Sequence, residues 1–244
     1  MTSSSKEFQS NQDVSEEKQL WKEIRKGVND LKTKRQLSPT MVFSVIGDSD
    51  NFVPRPWPKT VFQTALIEAA KSGGDTWILY SGAEQGVSKV VRDAYKNYED
   101  MEFKIERDGK KISDTDRHVK LIRVPENKSN NSSEYPTSTM LEDEKTQPKI
   151  YQPTPSKKKS FLLSFERFIS EQTVAFFSKE FDAEMPVPIA VIVCEGDIET
   201  VVHISKALDS KLPVIIMKGS GAIADIVVDY LAKYNMYSDA FIIN

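Results

Sequence analysis

The fold is decided by residues 189–231, which read IAVIVCEGDIETVVHISKALDSKLPVIIMKGSGAIADIVVDYL. This stretch holds an apolar strand at residues 189–194, an acidic turn, a helical segment, a second strand at 213–217, a Gly-Ser-Gly turn and a second helical segment. Apolar strands that end at glycine and lead into helices predict a parallel sheet with crossover helices. In such sheets, ligands bind at the carboxyl ends of the strands.

The N-terminal half of the chain repeats this alternation. Apolar strands are predicted at residues 41–46 and 76–80, and they are followed by the turns Gly47-Asp48-Ser49-Asp50 and Ser81-Gly82-Ala83-Glu84-Gln85-Gly86. Each turn precedes a segment with apolar residues at helical spacing, and a third strand is predicted at residues 119–124. The sequence therefore predicts an α/β fold that is Rossmann-like and doubly wound, with a mostly parallel sheet and helices on both faces.

Composition suggests the domain boundaries. Residues 1–17 are polar and predicted to be disordered, and residues 18–36 form an amphipathic helix that docks on the core or on a partner. The Rossmann-like domain is placed at residues 37–236. Within it, residues 125–160 are rich in Asn, Ser, Pro and Lys and are predicted to form a long polar loop. Residues 237–244 are assigned to a C-terminal tail.

Charge and composition exclude several classes of protein. The 244 residues carry a formal net charge of −3, so no broad basic surface is predicted to attract nucleic acid. No apolar run approaches the roughly 20 residues that a transmembrane helix needs. The N-terminus has no apolar signal-peptide region, which predicts a cytoplasmic protein. The single cysteine, Cys194, excludes an internal disulfide and is predicted to be a core residue rather than a nucleophile.

Several motifs carry a resemblance to a known family. One lies in a helix predicted over about residues 161–181 and reads Phe165-Glu166-Arg167-Phe168-Ile169-Ser170-Glu171-Gln172. Another is Gly219-Ser220-Gly221-Ala222-Ile223-Ala224-Asp225, and the N-terminal half adds Asn51-Phe52, Trp77-Ile78 and Gly86-Val87. Together these motifs span about residues 36–235. Over that span the chain resembles the cytosolic N-terminal SLOG (LSDAT) domain of melastatin-type TRP cation channels (TRPM).

The resemblance implies a function linked to cation and calcium channels. SLOG domains are associated with nucleotide-derived ligands, so ADP-ribose or a related nucleotide is the implied ligand. The implied partners are TRPM-type channel subunits or further copies of this chain. The implied location is the cytosolic face of a membrane, reached through a channel partner. Phosphate recognition needs glycine for close backbone approach and free N–H groups at helix N-termini.

The candidate pocket lies in the four turns that follow the strands. Its residues are Gly47, Asp48, Ser81, Gly82, Gly86, Glu195, Gly196, Thr200, Gly219, Ser220 and Gly221. Ser220 is interpreted as a helix N-cap or a phosphate contact, and Thr200 as a cap residue or a ligand contact. No catalytic residue and no metal ligand is assigned.

The turns also depart from the family's pattern. The family tends to have paired glycines after the first strand, where this chain has Gly47-Asp48, and Gly-Gly-Pro-Gly-Thr where it has Gly196-Asp197-Ile198-Glu199-Thr200. As aligned, the arginines of ADP-ribose-binding members fall near Leu162 and Ala222, and neither is basic. Five acids could lie near this edge, as helix and turn caps or as a divalent-cation site: Asp48, Asp50, Glu84, Asp197 and Glu199.

Three functional hypotheses remain open. The first is a non-catalytic regulatory and assembly module whose nucleotide pocket has degenerated. The second is a working sensor of ADP-ribose-like nucleotides. The third is a phosphoribohydrolase-type enzyme, which the sequence disfavours because Val201-Val202-His203-Ile204 stands where such enzymes place an acid. His203 is interpreted as a helix-surface residue, and no Ser-His-Asp or Cys-His grouping is evident.

Overall fold

The computed structural model describes residues 15–27, 38–49, 56–107, 119–124, 161–177, 182–234 and 240–243. Six strands within these ranges form one sheet: β1 (Met41–Ile46), β2 (Thr76–Tyr80), β3 (Val119–Arg123), β6 (Ile189–Val193), β7 (Val214–Met217) and β8 (Ala240–Ile243). Its strand order is β3-β2-β1-β6-β7-β8, and every neighbouring pair is parallel. A separate antiparallel pair consists of β4 (Thr173–Phe177) and β5 (Asp182–Pro186).

The fold is doubly wound, which confirms the predicted class. The described helices are α1 (Glu16–Gly27), α2 (Lys59–Ser72), α3 (Gly86–Arg107), α4 (Phe161–Ser170), α5 (Ile198–Asp209) and α6 (Ala222–Tyr234). Helices α2 and α3 pack on one face of the sheet, and α1, α4, α5 and α6 supply the apolar cluster on the other. The strand order reverses between β1 and β6, so a crevice is expected at the carboxyl ends of these two strands.

Alternation along the strands produces the two cores. In β1, Val42 and Ile46 join the cluster beneath α4 and α5, whereas Phe43 and Val45 join the cluster beneath α2 and α3. Successive strand residues point to opposite faces, so a strand covered on both sides is apolar throughout. This explains why the strands read as continuous apolar runs rather than as alternating polar and apolar residues.

The N-terminal helix α1 docks on this chain's own core. The Trp21 ring lies 5.1 Å from the Trp77 ring and 6.3 Å from the Phe168 ring, measured between centroids. Leu20, Trp21 and Ile24 are all buried. Of the two docking partners that the sequence leaves open, the described part of this helix therefore uses the core. No helix within the described ranges is long and apolar enough to cross a bilayer.

Three predicted boundaries are corrected by the structure. Helix α1 begins at Glu16, inside the segment 1–17 that the sequence predicts to be disordered. The helix predicted over about residues 161–181 ends at Ser170, and the β-branched and aromatic run Thr173–Phe177 forms strand β4 instead. Residues 237–244 were assigned to a tail, yet Ala240–Ile243 pairs with β7 as the sixth strand. The β4 and β8 segments are short apolar runs, whose conformation is decided by tertiary pairing rather than by periodicity.

Candidate functional site

The ends of β1 and β6 meet at a glycine. Gly47 follows β1 with a φ of +127°, and a Cβ at this position would run into the carbonyl oxygen of Cys194. Glycine is therefore required here for close backbone approach and for the left-handed backbone conformation. The first turn is thus in direct contact with the residue that precedes the third turn.

Asp48 joins the first turn to the second. Its Oδ2 accepts hydrogen bonds from Ser81 Oγ, at 2.5 Å, and from Ser88 Oγ. Its Oδ1 accepts the backbone N–H of Ser88 at 2.8 Å, in the first turn of α3. A carboxylate is favourable at this position because the N-terminus of a helix carries partial positive charge. Asp48 therefore caps α3 from a different loop.

Ser220 joins the third turn to the fourth. Its Oγ accepts the backbone N–H of Glu195 at 2.9 Å and donates to the carbonyl oxygen of Met217 at 2.7 Å. The Glu195 carbonyl oxygen accepts the backbone N–H of Ala224 at 2.9 Å, in the first turn of α6. The hydroxyl group of Ser220 is thus used to link two loops. With the Gly47 and Asp48 contacts, these bonds place all four turns side by side along one edge of the sheet.

Local contacts cap α5. Asp197 is the N-cap residue, and its Oδ1 accepts the backbone N–H groups of Glu199 at 3.0 Å and Thr200 at 3.3 Å. Thr200 Oγ1 accepts the Asp197 N–H at 3.2 Å, which completes a capping box. A Cβ on Gly196 would lie 2.7 Å from Thr200 Oγ1, so the turn has little space for a side chain. Thr200 is therefore a cap residue of α5.

The turn before α6 is also held by a carboxylate. Asp225 Oδ1 accepts the backbone N–H of Gly219 at 2.5 Å. Gly219 and Gly221 both have left-handed backbones, as does Gly86 at the start of α3. Apart from its chain neighbours, no described residue has an atom within 4 Å of the position that a Gly219 Cβ would occupy, in contrast to the crowded Gly47. The turn around Gly219 is therefore open, whereas the backbone at Gly47 is closely packed.

The remaining acids that the structure describes, Glu84 and Glu199, do not gather into a cation site. Glu84 Oε2 lies 3.3 Å from Arg92 Nη1, and Glu199 is an exposed residue in the first turn of α5. Asp50 lies outside the described residues. Among the residues that the structure describes, no group of three or more His, Cys, Asp or Glu side chains could hold a metal ion. For Asp48 and Asp197, the observed contacts favour the capping interpretation.

Two buried titratable groups lie near these strand ends. Burial raises the pKa of Tyr80 to about 12, although the charges of Arg123 and Arg92 lower it. Burial, with a smaller contribution from the Glu195 charge, raises the pKa of the Cys194 thiol. A thiol with a raised pKa and no exposed surface is a poor nucleophile, in keeping with the core role predicted for Cys194.

His203 is not the helix-surface residue that the sequence predicts. Its side chain is only 12% exposed, and its Nε2 lies 2.8 Å from Oε2 of the fully buried Glu166. The other carboxylate oxygen of Glu166 accepts a hydrogen bond from Ser44 Oγ at 2.5 Å. The carboxylate stands between serine and histidine, so the histidine is not placed to activate the serine hydroxyl. This network ties α4, α5 and β1 together and is not a nucleophilic triad.

One basic residue at this edge was not identified from the sequence. Arg123 ends β3, opposite Tyr80 in the parallel register. A Cβ on Gly82 would overlap the Arg123 side chain, and Arg123 Nε is buried without a hydrogen-bond partner among the residues that the structure describes. Gly82 therefore gives room to an arginine of this chain. Its position became visible only when β2 and β3 were paired.

Comparison with known proteins agrees with this architecture. A sequence model of the family described as "SLOG in TRPM" matches residues 19–110 and 128–241. Human transient receptor potential cation channel subfamily M member 5 is 25% identical over 207 residues, which cover 78% of this chain and 17% of that protein. Subfamily M member 2 of Mus musculus is 26% identical over 206 residues, covering 78% and 13%. The chain thus spans less than a fifth of the length of these relatives.

Proposed function

The chain belongs to the SLOG family found in TRPM channels, and we propose that it is a non-catalytic regulatory and assembly module of that type. In this proposal the strand-end crevice is closed to phosphate by the protein's own carboxylates. Asp48 accepts a backbone N–H at the start of α3, Asp197 accepts two at the start of α5, and Asp225 accepts one in the turn before α6. This occupation of backbone donors is the observation that carries the proposal.

Chemistry supports the loss of nucleotide binding. A pyrophosphate group is held by free backbone N–H groups and by cations, and here carboxylates take those N–H groups. A phosphate brought to the same places would also meet the negative charges of Asp48, Asp197 and Asp225. At 4 Å, two like charges near a protein surface repel by about 4 kcal/mol. Weak or absent ADP-ribose binding is therefore expected.

The same edge supports a non-catalytic assignment. A glycosidic-bond hydrolase needs a carboxyl group that can protonate or activate the reacting atoms. The α5 segment Val201-Val202-His203-Ile204 supplies no acid, and its histidine is engaged with Glu166 on the face of the sheet. The Ser220 hydroxyl is likewise engaged, with Glu195 and Met217.

Exposed apolar side chains support an assembly role. Helix α6 exposes Ile226, Tyr230 and Tyr234 at intervals of four residues, and neighbouring α5 exposes Ile198 and Val202 with the same spacing. Residues four apart lie on one face of a helix, so each helix presents an apolar row to its surroundings. Such surfaces mark protein–protein contacts. We propose that the contacts are made in the cytoplasm with TRPM-type channel subunits.

Isothermal titration calorimetry with ADP-ribose tests the closed crevice. The parent protein is expected to give no saturable heat, and a dissociation constant near or below about 10 μM would contradict the proposal. In Asp48→Asn the amide oxygen can still accept the Ser88 N–H while the negative charge is removed, so any residual affinity should rise. Asp209→Asn, at the far end of α5, is the matched control and should leave the titration unchanged.

Co-expression with a full-length TRPM subunit tests the assembly role. The parent chain should co-elute with the channel in size-exclusion chromatography, and Tyr230→Glu should reduce that fraction. Asp229→Lys changes charge at an exposed position of the same helix outside the apolar row and serves as the control. Elution of the parent chain apart from every subunit tested would contradict this part of the proposal.

A further inference from the structure

The side chain of Arg123 lies against the loop that follows β2. Arg123 is opposite Tyr80 at the end of β3, and the Gly82 Cβ position would overlap its Cγ, Cδ and Nε. Gly82 has a φ of +85°, a conformation that glycine adopts without strain. The missing side chain at Gly82 therefore lets the arginine cross the loop at the carboxyl edge of the sheet, where α/β proteins bind ligands.

The charge of Arg123 is not neutralised within the described part of the chain. Its Nε is buried without a hydrogen-bond partner, and the guanidinium makes no hydrogen bond or ion pair with a described residue. The nearby acids are engaged elsewhere, Asp48 with two serines and Glu84 with Arg92. A buried donor without an acceptor is destabilising, so we expect Arg123 to have a role other than packing in the core.

We propose that Arg123 binds a phosphate group, either inorganic phosphate or the phosphate of a small monoester. The planar guanidinium donates two parallel hydrogen bonds to such an oxyanion, a geometry that lysine cannot reproduce. The ligand would lie over the Gly82 loop, at the β2–β3 end of the sheet.

A second arginine favours a doubly charged ligand. Within the described ranges, Arg92 pairs with Glu84 at 3.3 Å, and the Glu84 side chain is 77% exposed. An exposed pair of this kind contributes little to stability and exchanges readily. Arg92 and Arg123 both lower the pKa of Tyr80 while Glu84 and Asp48 raise it, so two cations and two acids act on this hydroxyl. A phosphate dianion can use both cations, whereas a monocarboxylate carries only one charge.

This site is separate from the crevice between β1 and β6. Strand β2 and the Ser81 turn, which is bonded to Asp48, stand between Arg123 and that crevice. The inference therefore does not depend on whether the crevice has lost its nucleotide. If Arg123→Met still binds ADP-ribose, the proposed function is contradicted. The phosphate site at Arg123 is then judged separately, by the phosphate titration below.

NMR titration of the full chain tests the proposal. The Arg123 Nε–H resonance is assigned by its loss in Arg123→Met, which keeps the unbranched apolar stem over Gly82. Inorganic phosphate, glycerol phosphate and acetate are each added at constant ionic strength, up to about 20 mM for an expected millimolar dissociation constant. Both phosphates should shift this resonance along a saturable curve, with acetate at least fivefold weaker.

Three variants sharpen the test. Arg123→Met should lose the saturable phosphate response in the surrounding backbone amides, and Arg123→Lys should weaken it at least fivefold although the charge remains. Lys96→Met, an exposed cation on α3, should behave as the parent does. No saturable shift in the parent, or equal responses in the parent and Arg123→Met, would overturn the site. If Arg123→Met fails to fold, as its amide spectrum would reveal, the comparison with Arg123→Lys decides.

Discussion

The two halves of the sheet secure their strand-end loops by different means. In the first half, Asp48 caps α3 across forty residues of sequence through Ser81 and Ser88. In the second half, Asp197 caps its own helix within three residues, and Ser220 links the loops after β6 and β7. The first arrangement exists only once β1 and β2 are paired, whereas the α5 cap can form with the helix. Tertiary contacts therefore determine one half of the edge more strongly than the other.

Gly47→Ala should have the largest effect, because the two halves meet there. The new Cβ would run into the Cys194 carbonyl oxygen, and alanine is strained at a φ of +127°. We expect the free energy of unfolding in urea to fall by more than about 4 kcal/mol. Gly219→Ala is the control, since its φ of +83° is also positive but its Cβ position is open, so a loss of about 1–2 kcal/mol is expected. Equal losses in both variants would show that the β1–β6 contact is unimportant.

Asp48→Ala should cause the next largest loss of stability. It tests the long-range cap of α3 separately from the local cap of α5. It removes three hydrogen bonds to a carboxylate and leaves the Ser88 N–H without its acceptor. A loss of about 3 kcal/mol in urea unfolding is expected, and less for Asp48→Asn, which keeps an acceptor oxygen. Asp209→Ala, an exposed acid of α5, should change stability by less than about 0.5 kcal/mol. A similarly small loss for Asp48→Ala would mean that the first half does not depend on this cap.

Raising the pH should destabilise the first half of the sheet through the ionisation of Tyr80. Its pKa is raised from 10.0 to about 12, so its stabilising contribution is complete below pH 10 and is lost as the pH rises towards 12. Over that range the parent should lose about 2 kcal/mol more than Tyr80→Phe, which cannot ionise. Chemical unfolding at pH 9, 10, 11 and 12 measures the difference. If the free energy of unfolding falls equally with pH in the parent and in Tyr80→Phe, the raised pKa of Tyr80 is contradicted.

Asp197→Ala should have the smallest effect, since its cap is local. Loss of an N-cap aspartate costs about 1 kcal/mol. Because Asp197 and Asp48 share no hydrogen-bond partner, the double variant with Asp48→Ala should be additive within about 0.5 kcal/mol in urea unfolding. Strong non-additivity would show that the two halves of the edge act as one unit.

Most of the sheet could be predicted from the sequence. The strands Met41–Ile46 and Thr76–Tyr80 have their predicted ends, because buried strands bounded by glycine are distinct in composition. The Asp197–Thr200 spacing is also a local signal of a capping box. Strands β4, β5 and β8 were not predicted, and two of them, β4 and β8, are short apolar runs. Such a run can continue a helix or a tail as easily as it forms a strand.

The contacts of the site could be predicted only in part. The predicted order of strands and turns was enough to place Gly47, Gly82, Gly196 and Gly221 at one edge of the sheet. It could not predict which atoms are in contact there. Asp48 and Ser88 are forty residues apart, and Ser44 and Glu166 are 122 apart. No local sequence pattern predicts contacts between residues that are so far apart in the chain. The crossing of Arg123 over Gly82 likewise depends on the β2–β3 register.

The pairing of Trp21 with Trp77 gives the protein a built-in optical reporter. Two indoles with ring centroids 5.1 Å apart couple their excited states, and one belongs to the N-terminal helix while the other belongs to β2. Near-ultraviolet circular dichroism and tryptophan emission thus follow the seating of α1 on the sheet without any attached dye. Any binding event that moves this helix away from the sheet can therefore be detected in unlabelled protein as a change in these two spectra.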